Sequence, residues 1–165
     1  GPYAASNKYP VLFTDPDSLR SETRNFLIKY NIRKVIITGG TGVVSAAVEN
    51  QLKNMGITVT RIGGADRYET ALKISAAFDS SFNREVSIAQ GGNYPDALSG
   101  VVLAAKRKLP LLLVEESYIK DNVLDYIKSR GTTYLYVFGG TGVISNTVVQ
   151  KIRTHGSTGS TSGGF

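Results

Sequence analysis

The chain has 165 residues, of which 41% are apolar and 19% are charged, and it contains no cysteine. A chain of this length can bury about 68–70% of its unfolded surface, so a globular fold needs neither a metal nor a disulfide. The lack of cysteine excludes a disulfide framework and thiol chemistry. The net charge of +6 favours polyanionic partners such as nucleic acid, anionic lipid or an acidic polysaccharide.

Six short apolar runs rich in β-branched residues predict strands that are buried on both faces. In chain order they are residues 11–14, Lys34–Thr38, Thr58–Ile62, Val86–Gln90, Leu111–Val114 and 134–138. None of these runs, and no other apolar run in the chain, approaches the roughly 20 residues that a membrane span requires. The sequence therefore predicts no membrane span.

A helical pattern of apolar residues follows each predicted strand. Ser18 and Ser45 can cap the first two helices, Thr70 opens the third, and Pro95 lies in the first turn of the fourth. The apolar positions that mark the last two helices are Ile119, Val123 and Ile127, and then Val148 and Ile152.

Gly56 and Gly131 follow two of these helices at the position where a left-handed C-cap is expected. Strands that alternate regularly with helices imply right-handed crossovers and a parallel sheet that is covered on both faces. The predicted fold class is therefore α/β, a Rossmann-like three-layer sandwich with a mostly parallel sheet of about six strands.

One stretch of sequence recurs one hundred positions later: residues 39–45 return as 139–145, and residues 9–13 correspond to 109–113. A repeat of this size is large enough to be a small domain. The predicted division is a tag scar and lead-in at 1–8, the second half of one repeat at 9–56, one complete repeat at 57–155, and a flexible tail at 156–165. Residues 9–155 can fold as one globular domain.

Four unusual blocks begin where a predicted strand stops, at residues 39–45, 63–70, 91–99 and 139–145. Ligands of open α/β sheets bind beyond the carboxyl ends of the strands, so a site is expected there. The glycine-rich loops resemble phosphate cradles only weakly, because Gly-x-Gly-x-x-Gly and a P-loop lysine are both lacking. Tight packing of strand against helix is the favoured interpretation, and nucleotide binding is the alternative.

The charged residues of these blocks each have two interpretations. Arg67 can offer its planar guanidinium to an anion, or it can pair with Asp66 and fix the loop. Asp96 can cap its helix, and Asp66 with Asp96 can form a carboxylate pair of the glycosidase kind. The single histidine, His155, has no nucleophile motif near it. The sequence therefore favours a non-catalytic protein with no cofactor and no metal.

The tightest basic cluster is Lys106-Arg107-Lys108, and the other basic residues are scattered. No nucleic-acid-binding motif of the recognised kinds is present, so nucleic acid is not expected as a partner. The cluster is interpreted either as a solvated basic surface or as a contact for an anionic chain.

Four segments resemble, in order, the successive signatures of the cell-wall-binding repeat type 2 family of clostridial and related bacteria. They are residues 61–71, 92–99, 110–113 and 137–145. The resemblance covers about 61–152 as one complete repeat and 9–56 as the second half of the preceding one. The family usually carries three repeats in tandem, whereas this chain has about one and a half.

The resemblance implies a non-catalytic module that anchors a secreted protein, such as an adhesin or murein hydrolase, to the wall or S-layer of a Gram-positive bacterium. Its implied ligand is an anionic secondary wall polymer of the teichoic-acid type, and other copies of the repeat are implied partners in a trimer-like packing. The half repeat either completes the sheet in its own chain or swaps onto another molecule. The alternatives are a nucleotide- or sugar-binding enzyme domain and a purely structural S-layer packing module.

The resemblance points to residues 110–113 and Arg67 as ligand contacts. Polar residues of the unusual blocks, the neighbouring Arg61 and two residues of the basic cluster complete the predicted binding set. Its members are Arg61, Asp66, Arg67, Asn93, Asp96, Lys106, Arg107, Pro110, Leu111, Leu112 and Leu113.

Overall fold

The structure is a computed structural model that describes residues 1–92 and 95–156. Its helices and strands are α1 (Pro2–Ser6), α2 (Ser21–Lys29), β1 (Lys34–Thr38), α3 (Ala46–Asn54), β2 (Thr58–Ile62), α4 (Arg67–Ala77), β3 (Val86–Gln90), α5 (Pro95–Arg107), β4 (Leu111–Val114), α6 (Asp121–Ser129), β5 (Leu135–Phe138) and α7 (Asn146–Gly156), with a 3₁₀ turn at Asp79–Ser81. The chain divides into two compact units. Unit 1 contains residues 1–8 and the chain from residue 78 onward, and unit 2 is Tyr9–Ala77.

Unit 1 is built on a three-stranded parallel sheet with the order β4-β3-β5. The central strand β3 is buried from Val86 to Ala89, as expected for a strand that helices cover on both faces. Ser87 is the polar residue of this buried stretch, and its hydroxyl donates to the carbonyl of Pro110 at 2.7 Å. Side chains from α6 and α7, including Val123 and Val148, are almost fully buried in the same unit.

Unit 2 is built on two parallel strands, with Lys34 of β1 opposite Thr58 of β2. Its core takes residues from α2, β1, α3 and the turn before β2. The buried members are Leu27, Ile37, Val48, Leu52 and Ile57. These residues lie at the spacing expected for the inward faces of amphipathic helices and a short strand.

The α/β class and the parallel strands are confirmed, but the described residues form two sheets of two and three strands instead of one sheet of about six. The predicted strand at 11–14 is wrong, because that segment forms no strand. Val11 is 64% exposed and Phe13 is 78% exposed. A strand is stabilised by pairing, and composition alone does not supply a neighbour. The three-layer Rossmann-like arrangement stays a prediction.

Three helix starts differ from or refine the predictions. α2 begins at Ser21 and not beside Ser18, and α4 begins at Arg67, three residues before Thr70. Ser45 does occupy the N-cap position of α3, although its hydroxyl makes no capping hydrogen bond. Pro95 begins α5, as predicted.

Residues 1–8, which the sequence predicts to be a tag scar and lead-in, contain the short helix α1. α1 packs against α5, and the ring of Tyr3 stacks on Phe78 with 3.7 Å between centroids. The tail predicted for 156–165 falls outside the described residues after Gly156, which ends α7.

The compact units do not follow the predicted repeat border near residue 57. β2 and α4 come after that border, yet they fold in unit 2 because β2 pairs with β1. The pairing therefore joins two strands that the predicted border assigns to different repeats. No helix among the described residues has the length and apolar character needed to cross a membrane.

Backbone geometry repeats where the sequence repeats. Lys8 and Lys108 both have a left-handed φ, at 57° and 54°, and Gly39 and Gly139 have φ values of 122° and 127°. The predicted C-cap at Gly56 is confirmed by its φ of 74°. Positions one hundred residues apart thus have the same local conformation.

Candidate functional site

The carboxyl edge of the sheet in unit 2 is held together by Arg61, the fourth residue of β2. Its Nη1 donates to the carbonyls of Gly39 at 3.0 Å and Val44 at 2.8 Å, and its Nε donates to Glu49 at 2.9 Å. The side chain is 17% exposed. The guanidinium therefore fixes the glycine-rich loop 39–45 from inside, and its role as a ligand contact stays a prediction.

Gly63 lies directly after β2 and touches the same loop. A Cβ at this position would lie 2.5 Å from the carbonyl carbon of Gly39 and 2.5 Å from the nitrogen of Gly40. Real carbon contacts do not come that close, so no side chain fits there. The glycines of this edge serve close backbone packing, which agrees with the interpretation favoured from the sequence.

The block that follows Gly63 caps α4. The Asp66 carboxylate accepts from the Glu69 amide at 2.8 Å, and the Glu69 carboxylate accepts from the Ala65 amide at 2.7 Å. This reciprocal arrangement satisfies amides that a helix start leaves unpaired. A hydrogen bond from Lys73, followed by the one from Ala65, lowers the pKa of Glu69. Asp66 thus has a structural task, while Arg67 is the first residue of α4.

Asp96 lies in the first turn of α5, beside the carboxyl end of β5 in unit 1. Its Oδ2 would be 3.1 Å from a Cβ placed on Gly139. A shallow cavity of about 290 Å³ opens here between Asp96, Leu103 and the end of β5. Asp96 is thus at the edge where the sequence predicts ligands. Asn93, the neighbouring candidate, lies outside the described residues.

Residues 110–113 are Pro110 and the first three residues of the outer strand β4. Pro110 and Leu112 are fully buried, and the Pro110 carbonyl accepts from Ser87. Leu111 and Leu113 are partly exposed on the alternate positions. The segment therefore belongs mainly to the core of unit 1, and only these two side chains are accessible to a ligand.

Lys106 and Arg107 lie at the opposite edge of the unit 1 sheet, where α5 ends and the strands begin. They line an open cavity of about 570 Å³ together with Asn83, Glu85 and Lys108. The Asn83 amide side chain donates to the Arg107 carbonyl at 2.7 Å and holds the two connections together. We call this set of five residues the basic edge. The structure thus separates Asp96 from Lys106 and Arg107, which the sequence had grouped.

An aromatic ring supports the cations of the basic edge. The Arg107 guanidinium lies 5.3 Å from the centre of the Tyr136 ring and donates to its hydroxyl at 2.8 Å. Its distance to the Glu85 carboxylate is 3.8 Å, and its side chain is 51% exposed. Arg107 is therefore positioned by its neighbours while its charge stays open to solvent. Sequence reasoning missed Tyr136 as a site residue. The signal that could have found it is the alternation of Leu135 and Tyr136 in a short strand, which places their side chains on opposite faces.

A second polar cluster links the end of α6 to the 3₁₀ turn. Arg130 pairs with Asp79 and donates to the carbonyl of Asn83, and the Tyr126 hydroxyl donates to Asp79 at 2.6 Å. Burial raises the pKa of Tyr126 to about 12 and lowers the pKa of Arg130. The cluster fixes the connection that carries Asn83. No group of His, Cys, Asp and Glu within the described ranges is arranged to hold a metal ion.

Comparison with known proteins places the chain among wall proteins. The family model of cell wall binding domain 2 matches residues 1–49 and 61–149. N-acetylmuramoyl-L-alanine amidase LytC of Bacillus subtilis (strain 168) is 37% identical over 151 residues, which are 92% of this chain and 30% of that protein. The chain thus spans under a third of the amidase.

Two solved structures from Clostridium difficile have the same fold over 93% of this chain. Cwp6 has a TM-score of 0.84 at 28% identity, and Cwp8 has a TM-score of 0.80 at 27% identity. The match covers 24% of the Cwp6 chain and 26% of the Cwp8 chain. Sequence, fold and family model agree, and the chain belongs to the cell wall binding domain 2 family as a wall-anchoring module.

Proposed function

We propose that this module anchors a secreted protein to a Gram-positive cell surface by binding an anionic wall polymer, and that the basic edge is its main contact. The observation that carries the proposal is the clustering of Lys106, Arg107 and Lys108 around one open cavity with a single carboxylate, Glu85. Phosphate and carboxylate groups of a polymer suit such a cluster, because a guanidinium can bind either group with two hydrogen bonds.

The geometry of Arg107 favours a sugar-phosphate chain over a free small anion. Its guanidinium is half exposed and lies over the Tyr136 ring. An aromatic face beside a cation offers both an apolar surface for a sugar ring and a charge for its anionic substituent. The cavity is open to solvent, so a polymer chain can pass across it without being enclosed.

Each contact of this kind is weak. Exposed ion pairs are worth about 0.2–1 kcal/mol, and salt at physiological concentration largely screens charges more than about 8 Å apart. Repeats that are linked in one polypeptide raise the effective concentration of the next site, so modest contacts add up to firm retention. Wall binding by this module is therefore expected to weaken as salt concentration rises.

The test is retention on purified Gram-positive walls, before and after chemical extraction of the anionic polymers. The double variant Lys106→Gln/Arg107→Gln should raise the apparent Kd about 2- to 30-fold, as the loss of two exposed ion pairs implies. The matched control is Arg24→Gln/Lys29→Gln, which removes the same charge from exposed positions of α2 in unit 2.

Equal loss of retention in both double variants would show that net charge alone is responsible and would remove the basic edge from the proposal. Full retention on walls stripped of anionic polymer would contradict the polymer as ligand. It would favour the alternative of a packing module that binds other surface proteins.

The nucleotide-binding alternative is disfavoured by the loop at residues 39–45. Arg61 occupies its carbonyls, and Gly63 closes the space behind Gly39 and Gly40. A thermal shift on addition of a nucleotide would revive that alternative. Arg67, Asp96, Leu111 and Leu113 remain candidate secondary contacts of the polymer, to be tested by the same retention assay.

A further inference from the structure

Glu85 is the carboxylate of the basic edge, and its place in the fold makes it part of the cavity wall. It immediately precedes β3, its side chain is 26% exposed, and it lines the cavity beside Lys106, Arg107 and Lys108. A polymer that reaches these cations therefore meets the carboxylate as well. A surface that only attracts anions gains nothing from a carboxylate there, because like charges that face each other weaken binding.

The nearest cation leaves the Glu85 carboxylate without a hydrogen bond. Nη1 of Arg107 lies 3.8 Å from Oε2 of Glu85 and donates instead to the Tyr136 hydroxyl at 2.8 Å. In the part of the chain that the structure describes, no group donates a hydrogen bond to this carboxylate. An exposed ion pair without a hydrogen bond contributes little to stability. The stability of the fold therefore does not account for a carboxylate at this position.

Asn83 adds a second acceptor to the same wall. Its side-chain nitrogen donates to the Arg107 carbonyl at 2.7 Å, and its backbone amide donates to the Lys108 carbonyl at 2.8 Å. These hydrogen bonds orient the side-chain amide, and its Oδ1 accepts from no donor among the described residues. The basic edge thus combines cationic donors with two acceptor groups. A ligand that carries both anionic groups and hydroxyls satisfies that combination.

We propose that Glu85 determines the specificity of the basic edge, because its carboxylate accepts a hydrogen bond from a free sugar or polyol hydroxyl that adjoins an anionic group of the polymer. This inference rests on the proposed function and names the part of the polymer that is recognised. An ionised carboxylate binds a hydroxyl more strongly than a neutral acceptor does. The same charge repels an anion that offers no hydroxyl, so one residue favours the hydroxylated polymer and disfavours a bare polyanion.

The experiment compares two polymers that have the same charge. One is poly(glycerol phosphate) with free hydroxyls, and the other is the same preparation after its hydroxyls have been acetylated. Titration calorimetry at one salt concentration measures the Kd of each polymer for the unaltered chain, Glu85→Gln and Glu85→Met. Acetylation should weaken binding by the unaltered chain about 3- to 10-fold, as the loss of a partly exposed hydrogen bond to a charged group implies.

The two variants of Glu85 should differ in a graded way. Methionine has a similar length and only a weak acceptor, so Glu85→Met should bind the two polymers with Kd values within about twofold of each other. This variant should also bind the acetylated polymer more tightly than the unaltered chain does, because the repulsion is gone. Glu85→Gln keeps a neutral acceptor and should retain an intermediate preference. The matched control, Asp125→Asn, removes the same charge from an exposed position of α6 and should keep the full preference.

An unchanged preference in Glu85→Met, an equal loss of preference in Asp125→Asn, or equal binding of both polymers by the unaltered chain overturns the inference. The double variant Lys106→Gln/Arg107→Gln separates that failure from a failure of the proposed function. If the double variant binds the hydroxylated polymer more weakly while Glu85→Met keeps the preference, only the role of Glu85 is wrong. If the double variant binds both polymers as the unaltered chain does, the basic edge is not the contact and both proposals are wrong.

Discussion

Gly63→Ala is the substitution that tests most directly why the loop after β2 is rich in glycine. The new methyl carbon would lie 2.5 Å from backbone atoms of both Gly39 and Gly40. Neither neighbour is a flexible side chain, so the strands or the loop must move. Inserting a methyl group into a closely packed site costs about 1–3 kcal/mol. For a chain of this size that free energy corresponds to a fall in Tm of about 2–12 °C.

The matched control is Gly42→Ala in the same loop, where no atom lies within 4 Å of the added carbon. This variant should keep the stability of the unaltered chain or gain about 0.4–1 kcal/mol, because alanine restricts the unfolded chain. Urea and thermal denaturation followed by circular dichroism measure both variants. If Gly63→Ala is as stable as Gly42→Ala, the glycine is not required for packing, and the argument against a ligand cradle at this loop fails with it.

Two further predictions concern pH. Hydrogen bonds from Lys53 and then Arg61 lower the pKa of Glu49 below its ordinary 4.5, so its contribution to stability is complete above that value and is lost as the pH falls through the lowered pKa. Urea denaturation at pH 6 and pH 3 should show a smaller pH dependence for Glu49→Gln, and an unchanged dependence would refute the role of this carboxylate. Burial raises the pKa of Tyr126 to about 12, so the stability its neutral phenol contributes is present below pH 10 and is lost as the pH rises through the folded value. Tyrosinate absorbance should lose its last titration step in Tyr126→Phe, and an identical titration in both proteins would contradict this.

Local patterns predicted most of the elements because local chemistry determines them. Ile119, Val123 and Ile127 recur at helical spacing, and the last two are buried in α6. The residue after α6 has a left-handed φ, which favours glycine, and Gly131 supplies it with a φ of 59°. Such signals are complete within a few residues of the chain, so the sequence alone is sufficient to find them.

Features that depend on a distant partner were not predictable in the same way. Residues 11–14 have the composition of a strand, but no local signal tells whether a neighbour is present to pair with them. Ser18 has the right residue type to cap α2, yet its carbonyl accepts from Thr14 and the helix starts later. The start of α4 was missed because the cap is Asp66, whose carboxylate binds the Glu69 amide.

The candidate site was predicted in composition more than in geometry. Lys106 and Arg107 end a helix that leads into a strand, so they lie at the amino edge, while Asp96 begins that helix and lies at the other edge. This separation follows from topology and could have been inferred. The pairing of Arg107 with Tyr136 joins residues 29 positions apart, and the sequence alone could not have predicted it.

The guanidinium of Arg61 has a practical meaning for anyone who builds chimaeras from these repeats. It belongs to β2, which the predicted border assigns to one repeat, but it donates to carbonyls of Gly39 and Val44, which the same border assigns to the repeat before it. A junction placed at the predicted repeat border, near residue 57, would separate β2 from β1 and remove the acceptors of that side chain. A junction after Ala77 keeps both together, so interchangeable modules should be excised one strand and one helix later than their sequence suggests.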